Sequence, residues 1–254
     1  MDLVLADRLH LNLMRVNAWV GEATGGAVER GDGTILASTR SKMRFLNSAL
    51  RERSDEDAAP FIARARDFFT ERGRGFTAYC WPGDPELERA AAEAGMGLVQ
   101  ESYPEMACRA PVPSLPGDVR AVETVADAEL YWAVCEGAYA SLGFPPGVFR
   151  ETFDPELLLE PECWACLGFE DGQALACASL YAVDDVGFIG WVGALPEGRG
   201  RGLAAACTVA ATNRAFARGL EVASLQASAM GAPLYPRLGY ERIYDYRLFG
   251  WPPD

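Results

Sequence analysis

The sequence is poor in lysine and histidine, with only Lys42 and His10 among its 254 residues. All other basic residues are arginines, and acidic residues outnumber them, so the formal net charge at pH 7 is −13. Nucleic-acid binding needs clustered positive charge to neutralise phosphates. We therefore expect no nucleic-acid partner.

Long apolar runs are also missing, since no stretch approaches the roughly 18 residues needed to span a bilayer. The N-terminus carries Asp2 and Asp7, where a secretory signal would carry basic residues. We therefore expect a cytoplasmic protein without membrane contact. The seven cysteines lack framework spacing, which fits a reducing compartment. Cys163 and Cys166 form a C-x-x-C on a predicted strand, whose alternation places them on opposite faces and predicts two core thiols rather than a metal or redox site.

Charge is unevenly distributed along the chain. Residues 1–113 carry a net charge of −3, residues 114–196 carry −12, and residues 197–254 carry +2. The basic C-terminal segment begins within a glycine-rich turn, "LPEGRGRGLAAA", at residues 195–206. This turn is the first candidate for an anion-binding site.

The C-terminal half has a readable order of elements. A strand at 119–125 precedes a helix opened by Asp127, and three strands turned at Asp-Gly and Asp-Asp then lead to Leu195. A helix rich in alanine, a strand, a short helix and a final strand follow. The predicted fold is a mixed α/β sheet of order β-α-β-β-β-α-β-α-β.

The N-terminal half repeats part of this order. Gly73 and Gly95 stand about 145 residues before Gly219 and Gly239, each at the predicted end of a helix. The proline-rich linker "CRAPVPSLPGD" separates the two halves. We therefore predict a duplicated fold with domains at 1–113 and 114–254.

Three kinds of phosphate site are compatible with a glycine-rich turn. A nucleotide triphosphate loop requires G-x-x-x-x-G-K-[ST], and no lysine is near. A dinucleotide site could use Gly200, Gly202 and Ala205, but Glu221 precedes its strand and an antiparallel meander replaces the first parallel strand. The pattern R/Q-x-x-G-x-G/A of acyl-CoA sites is met by Arg199, Gly202 and Ala204. In that pattern the free N–H groups and dipole of a helix start bind a pyrophosphate.

A second motif follows at the matching distance. Ser228 closes the next predicted strand, Tyr235 comes seven residues later, and "RLGY" ends a short helix. With both motifs, residues 117–250 resemble the GNAT family of acyl-CoA-dependent N-acetyltransferases. The resemblance implies a GNAT fold, a mostly antiparallel sheet flanked by helices, of the tandem type with a degenerate N-terminal half. The equivalent N-terminal position holds the acidic stretch 54–59, so one active site per chain is expected.

The resemblance also implies residue roles. Acetyl-CoA would be the co-substrate, and Tyr235 would be the general acid that protonates the departing thiolate. Ser228 would bond the cofactor, or it would only cap the following helix. The implied cofactor-binding residues are Val192, Gly193, Ala194, Arg199, Gly200, Arg201, Gly202, Leu203 and Ala204.

The general base is not identified by the sequence. Asp184, Asp185, Glu123 and Glu136 are candidates, and a water chain is an alternative. His10 is far away in sequence and is expected on the surface. Trp191 either borders the acceptor pocket or belongs to the core.

The resulting hypothesis is an N-acetyltransferase that acts on a primary amine of a small molecule or peptide by direct attack in a ternary complex. The acidity of residues 114–196 favours a cationic acceptor. A non-catalytic acyl-CoA sensor or scaffold is the alternative. Monomer and homodimer are both compatible with the sequence.

Overall fold

The computed structural model describes residues 2–52 and 57–252. They form two compact units, Met1–Glu105 with Arg242–Asp254 (unit 1) and Met106–Glu241 (unit 2). The division at 105/106 lies eight residues before the predicted one, and the last strand of the predicted second domain belongs to unit 1. The kinds of element in each half are as predicted, but the last strand of the chain completes the sheet of unit 1 rather than that of unit 2.

The elements follow the chain in this order. In the first half they are α1 Leu3–Ala23, β1 Ala27–Gly31, β2 Thr34–Ser38, β3 Ser48–Arg51, α2 Ala58–Glu71, β4 Phe76–Cys80, α3 Pro85–Glu93 and β5 Gly97–Cys108. In the second half they are β6 Asp118–Ala121, α4 Val125–Tyr139, α5 Val148–Thr152, β7 Cys163–Glu170, β8 Gln173–Tyr181, β9 Val186–Ala194, α6 Leu203–Ala217, β10 Val222–Gln226 and β11 Glu241–Trp251. Short 3-10 turns lie at Arg44–Leu46, Ala140–Leu142, Pro155–Leu159, Pro196–Gly198 and Tyr235–Leu238.

Unit 1 contains a mixed sheet of strand order β1-β2-β3-β4-β11-β5. β1, β2 and β3 form an antiparallel meander, β4 is parallel to β3, and β11 is antiparallel to β4. Phe61 and Phe69 of α2 pack with Phe76 and Phe249 of the sheet into one apolar core. The strand that lies between β4 and β5 therefore comes from the far end of the chain.

His10 lies in the interior of unit 1, so its predicted surface position is wrong. Its Nδ1 lies 2.8 Å from Tyr246 Oη and its Nε2 lies 3.0 Å from the carbonyl oxygen of Arg51. Because a carbonyl only accepts, Nε2 carries the proton and Nδ1 accepts from the tyrosine. The ring stacks on Trp81 at 4.6 Å, and burial lowers the pKa of His10 to about 4. The sequence pattern missed this because the polar partners come from distant segments.

Unit 2 has its elements in the predicted order as far as the short helix after β10, and the predicted final strand is β11 of unit 1. β6, β7, β8 and β9 pair antiparallel in sequence order, and β10 joins β9 in parallel after the α6 crossover. α6 packs on one face of this sheet, where Ala211 and Ala215 share a core with Ile189 and Leu225. α4 packs on the other face of the sheet, over β8 and β9.

The helical segment before β7 differs in detail from the prediction. α4 begins at Val125 because Thr124 and Asp127 form a reciprocal capping box, which places Asp127 in the first turn rather than at the cap. The proline-punctuated segment that follows contains α5 and the 3-10 turn Pro155–Leu159. These pieces lie on the α4 side, since both α5 and that turn contact α4.

The repeated glycines perform the same local task in both halves. Gly73, Gly95, Gly219 and Gly239 all adopt left-handed φ values, between +62° and +83°. The residue after each glycine donates its N–H to the carbonyl five residues back, as in Leu220 to Ala215 at 3.2 Å. This is the Schellman ending of a helix, in which glycine is favoured because it carries no Cβ. The structure thus explains the spacing by which the sequence suggested duplication.

Two other features of the sequence are the acidic stretch at 54–59 and the C-x-x-C pair. Of the acidic stretch, residues 54–56 lie outside the described residues. Cys163 and Cys166 lie on β7 as buried free thiols, and burial is among the causes that raise the pKa of both. Residues 2–52 and 57–252 contain no cluster of three or more His, Cys, Asp or Glu side chains suited to a metal ion. Within the same ranges, every helix is too short or too polar to cross a bilayer.

Candidate active site

The glycine-rich turn joins the end of β9 to the start of α6. Gly200 has φ +75° and Gly202, the N-cap of α6, has φ +80°. Residues with a Cβ rarely adopt this conformation. A Cβ built at either position meets no atom of the described part of the chain within 4 Å, so the space beside both residues is open. Among residues 2–52 and 57–252 no side chain caps α6, and the first N–H groups of the helix have no acceptor within it.

The two arginines of the turn are held by groups of the protein. Arg199 donates to Ser141 Oγ at 2.7 Å and to the Ala138 carbonyl at 3.4 Å, at the end of α4. Arg201 forms an ion pair with Glu170 at the end of β7. The arginines thus brace the turn, and the uncapped N–H groups of α6 are the groups of this turn that suit an anion.

β9 is irregular immediately before the turn. Cys177 of β8 pairs with Gly193 and Ser179 pairs with Gly190, so Trp191 and Val192 together oppose one residue of β8. This is a β-bulge, and Trp191 within it has φ +46°. A tryptophan in this conformation is strained and must be held by its surroundings.

Two tyrosines of α4 contact the bulge from one face of the sheet. Tyr131 Oη donates to the carbonyl of Trp191 and Tyr139 Oη donates to that of Val192, each at 3.3 Å. Ser179 Oγ donates to the Gly190 carbonyl at 2.9 Å. Each of these side chains binds one carbonyl of the irregular segment, which keeps the bulge fixed in position.

Along its edge toward β10, the same segment of β9 has no paired strand among the described residues. Parallel pairing between β9 and β10 ends at Phe188 and Ser224, although β9 continues to Ala194. Residues 190–194 are each only partly buried. The N–H and C=O groups of residues 190–194 that point toward β10 are therefore available to another partner. The stretch leads directly into the turn before α6.

Tyr235 and Ser228 lie together after β10. A Cβ built on Gly231 would stand 3.2 Å from Tyr235 Oη and 3.4 Å from Ser228 Oγ, so both hydroxyls border the same glycine. Ser228 Oγ accepts the Gly231 N–H at 3.2 Å within the turn that follows β10. The next helical turn, Tyr235–Leu238, has Leu234 at its N-cap position and no side-chain cap among the described residues, so Ser228 does not cap it. Tyr235 is 6 % exposed, and burial alone raises its pKa to about 12. It is thus a protonated phenol at neutral pH.

The family comparison agrees with this geometry. Residues 128–240, which include β9, the turn, α6 and Tyr235, match the model of the "Acetyltransferase (GNAT) family". The chain carries a GNAT acetyltransferase domain. It is therefore an acyltransferase, as its motifs imply. None of the curated proteins matches the chain at a significant level.

Solved structures share the fold over most of the chain. A GCN5-related N-acetyltransferase from Kribbella flavida is similar at 24 % identity and a TM-score of 0.69, with 95 % of this chain and 96 % of that chain covered. One from Sphaerobacter thermophilus is 18 % identical with a TM-score of 0.62, covering 86 % and 76 %. A tandem GNAT protein from the clavulanic acid biosynthesis pathway is 13 % identical with a TM-score of 0.58, covering 85 % and 77 %. At these identities the likeness concerns the fold, which extends over both halves.

Three of the four candidate bases of the GNAT domain lie away from the bulge. Asp184 and Asp185 precede β9, and Asp185 is about 17 Å of extended strand away from Gly190. Glu123 precedes α4 and is exposed. None of these carboxylates is placed near the opening of the sheet.

The fourth candidate base, Glu136, is engaged in a structural contact. Its carboxylate pairs with Arg150 of α5 at 3.0 Å. Partial burial raises the pKa of Glu136, but the bond from this arginine and a further bond from the Gly147 backbone together outweigh it, so the net shift is downward. Glu136 therefore ties α5 to α4 and is poorly suited to accept a proton. A water chain is the remaining predicted base.

Trp191 packs against an aromatic group on the α4 face of the GNAT domain. Its ring centroid lies 5.5 Å from Tyr139, 5.0 Å from Phe149 and 5.6 Å from Phe153. Phe149 and Phe153 are buried, whereas Trp191, Tyr139 and Phe144 are half-buried. The indole thus belongs to the aromatic packing of the α4 face, and its place beside an acceptor pocket stays a prediction. The tyrosines of α4 were missed as site residues, because their spacing reads only as a buried helix face.

Proposed function

We propose that the chain transfers an acetyl group from acetyl-CoA to a primary amine of a small molecule or peptide by direct attack in a ternary complex. The observation that carries this proposal is the open, uncapped start of α6 directly after the strand segment that separates from β10. One end of that path suits a pyrophosphate, and the other suits an extended chain with amide groups.

The cofactor would bind mainly to backbone groups. The N–H groups of Gly202, Leu203 and Ala204 would receive the pyrophosphate, helped by the dipole of α6. Val192, Gly193 and Ala194 would bind the pantetheine amides in the manner of an added strand. Gly200 would leave room for this approach, and Arg199 and Arg201 would add positive charge near the phosphates without supplying the site itself.

The transfer itself would proceed in one bond exchange. The amine nitrogen attacks the thioester carbonyl, a backbone N–H of the bulged segment stabilises the developing oxyanion, and the C–S bond breaks as the C–N bond forms. The ammonium ion loses a proton to solvent water before attack, and the nitrogen loses a second one there as the C–N bond forms. Tyr235 gives its proton to the thiolate of CoA and takes one back from solvent. Burial raises the pKa of Tyr235, so the phenol holds the proton that a general acid must have before transfer. Ser228, whose oxygen accepts from Gly231, still has a hydroxyl proton to donate toward the cofactor.

The charge of the chain supports a cationic acceptor. Residues 114–196 carry a net charge of −12 and supply α4, α5 and the strands up to β9. An acidic rim raises the local concentration of ammonium compounds. Seven free cysteines are compatible with a reducing compartment, so we place the reaction in the cytoplasm.

Calorimetric titration with acetyl-CoA, followed by a thiol-release assay over a panel of amines, tests the proposal. We expect saturable binding of acetyl-CoA and release of free CoA thiol only when an amine is present. Absence of binding by a folded protein would refute the cofactor assignment. Binding without thiol release for any amine would support the sensor alternative and refute amine transfer.

A further inference from the structure

Two polar side chains of β10 have buried atoms without a hydrogen-bond partner. Ser224 is 0 % exposed and its Oγ is unbonded, and Nε2 of Gln226 is buried and unbonded as well. These statements refer to partners among residues 2–52 and 57–252. Folded proteins rarely leave such atoms unsatisfied, so two on neighbouring positions of one strand call for a specific explanation.

Both side chains lie on the face of the sheet opposite α6. Ala223, Leu225 and Ala227 belong to the core beneath α6. Because side chains alternate along a strand, Ser224 and Gln226 point to the α4 face. That face also carries Trp191 and its aromatic neighbours on α4 and α5.

Gln226 lies where β9 and β10 separate. Ser224 pairs with Phe188 as the last pair of the parallel ladder, and the same register would place Gln226 level with Gly190. Gly190 has no side chain and immediately precedes the bulge. The amide of Gln226 therefore stands beside the opening, next to the segment proposed to hold the thioester carbonyl.

The aromatic group supplies a second, different kind of surface beside the same opening. The half-buried rings of Trp191, Tyr139 and Phe144 lie within 6.4 Å of one another by centroid, and Phe149 packs behind them. Such rings suit an apolar or flat substituent. The unbonded N–H of Gln226 instead requires an oxygen acceptor.

We propose that Gln226 binds an oxygen atom of the acceptor close to its reactive amine, while the Trp191, Tyr139 and Phe144 rings bind an apolar substituent. The acceptor class is then an α-amino carbonyl compound with an apolar side chain, such as an amino-acid amide or a peptide N-terminus. This inference rests on the proposed N-acetyltransferase function and narrows its substrate.

Three probe amines separate the two contacts. Phenylalaninamide has the amine, the carbonyl oxygen and the aromatic substituent, phenethylamine lacks the carbonyl, and glycinamide lacks the ring. For Gln226→Leu we expect kcat/KM to fall about tenfold with phenylalaninamide, mainly through KM, and to stay unchanged with phenethylamine. For Phe144→Ala we expect a fall of about tenfold with phenylalaninamide and none with glycinamide. Comparing each variant with wild type for the same amine cancels differences in amine basicity.

Stability measurements exclude a purely structural role. Since the polar atoms are unpaired without an acceptor, Gln226→Leu and the smaller change Ser224→Ala should leave the melting temperature unchanged or raise it. The acetyl-CoA affinity should also stay unchanged in both variants. Gln173→Leu, an exposed glutamine on β8, is the matched control and should alter none of these quantities.

The outcomes of these experiments separate the acceptor class from the proposed N-acetyltransferase function on which it rests. Equal losses with all three amines, or no loss with phenylalaninamide in Gln226→Leu, would overturn the acceptor class while leaving N-acetyl transfer intact. A lower melting temperature in both β10 variants would show that these residues serve the fold and would overturn it as well. Failure of wild type to release thiol with any amine would overturn both proposals.

Discussion

Replacing Gly202 tests whether the anion site is made of backbone. An alanine there must either keep φ near +80°, which places a Cβ in the open space beside the turn, or rotate the first N–H groups of α6 away from it. Either response removes bonds to the pyrophosphate. A hydrogen bond to a charged group contributes about 1.5–3 kcal/mol, so losing one weakens acetyl-CoA binding about 10- to 150-fold. Gly202→Val, with a bulkier side chain, should leave no measurable binding.

The same helix provides the matched control. Gly219 ends α6 with φ +83°, and a Cβ built there also meets nothing within 4 Å. Both Gly202→Ala and Gly219→Ala should therefore destabilise the fold by about 1–2 kcal/mol, since a residue with a Cβ is strained in this conformation. This corresponds to a melting temperature lower by about 2–8 °C. Only Gly202→Ala should change the calorimetric Kd for acetyl-CoA. Equal Kd values for the two variants would refute a backbone anion site at the start of α6.

The remaining predictions concern Tyr235, the two arginines and His10. Tyr235→Phe should lower kcat by about 10²-fold or more while leaving the acetyl-CoA Kd nearly unchanged, and an unaltered kcat would remove Tyr235 as the acid. Arg199→Ala and Arg201→Ala should each raise that Kd less than tenfold, because both side chains are already paired within the protein. A larger rise in Kd than in Gly202→Ala would show that the arginines, and not the backbone, make up the anion site. His10 has a pKa of about 4 when folded and about 6.5 when unfolded, so it stabilises the fold fully above pH 6.5 and loses this stabilisation as the pH falls to 4. The loss amounts to about 3 kcal/mol. Urea unfolding at several pH values should show it as a steeper acid dependence in wild type than in His10→Gln, and parallel curves would contradict it.

The local features of unit 2 could be predicted from the sequence because they depend on neighbouring residues. Asp-Gly at 171–172 turns β7 into β8, and the glycines at 200 and 202 supply the left-handed backbone between β9 and α6. Gly219 and Gly239 likewise end helical segments in the predicted places. Each of these signals acts over five or six residues, which is the range that a sequence pattern describes.

Features that depend on distant partners were not predictable in the same way. The left-handed φ of Trp191 arises from a bulge held by hydroxyls of α4, about 50 to 60 residues earlier. His10 is buried because Tyr246 and the Arg51 carbonyl reach it from other strands. The sequence offers Glu136 as a candidate base, but in the fold its carboxylate pairs with Arg150. In each case the chemistry is decided by a tertiary contact that leaves no periodic trace.

The assignment of β11 to unit 1 has a consequence for biosynthesis. β4 and β5 leave the ribosome more than 130 residues before β11, yet β11 is the strand that lies between them. The sheet of unit 1 therefore cannot close during translation of its own first 105 residues and must wait until unit 2 has been made. Its strand pairing is non-local, which slows folding and leaves two strand edges unpaired in the meantime. We therefore expect the nascent N-terminal half to depend on chaperones, or on rapid synthesis of the remaining chain, until β11 is available.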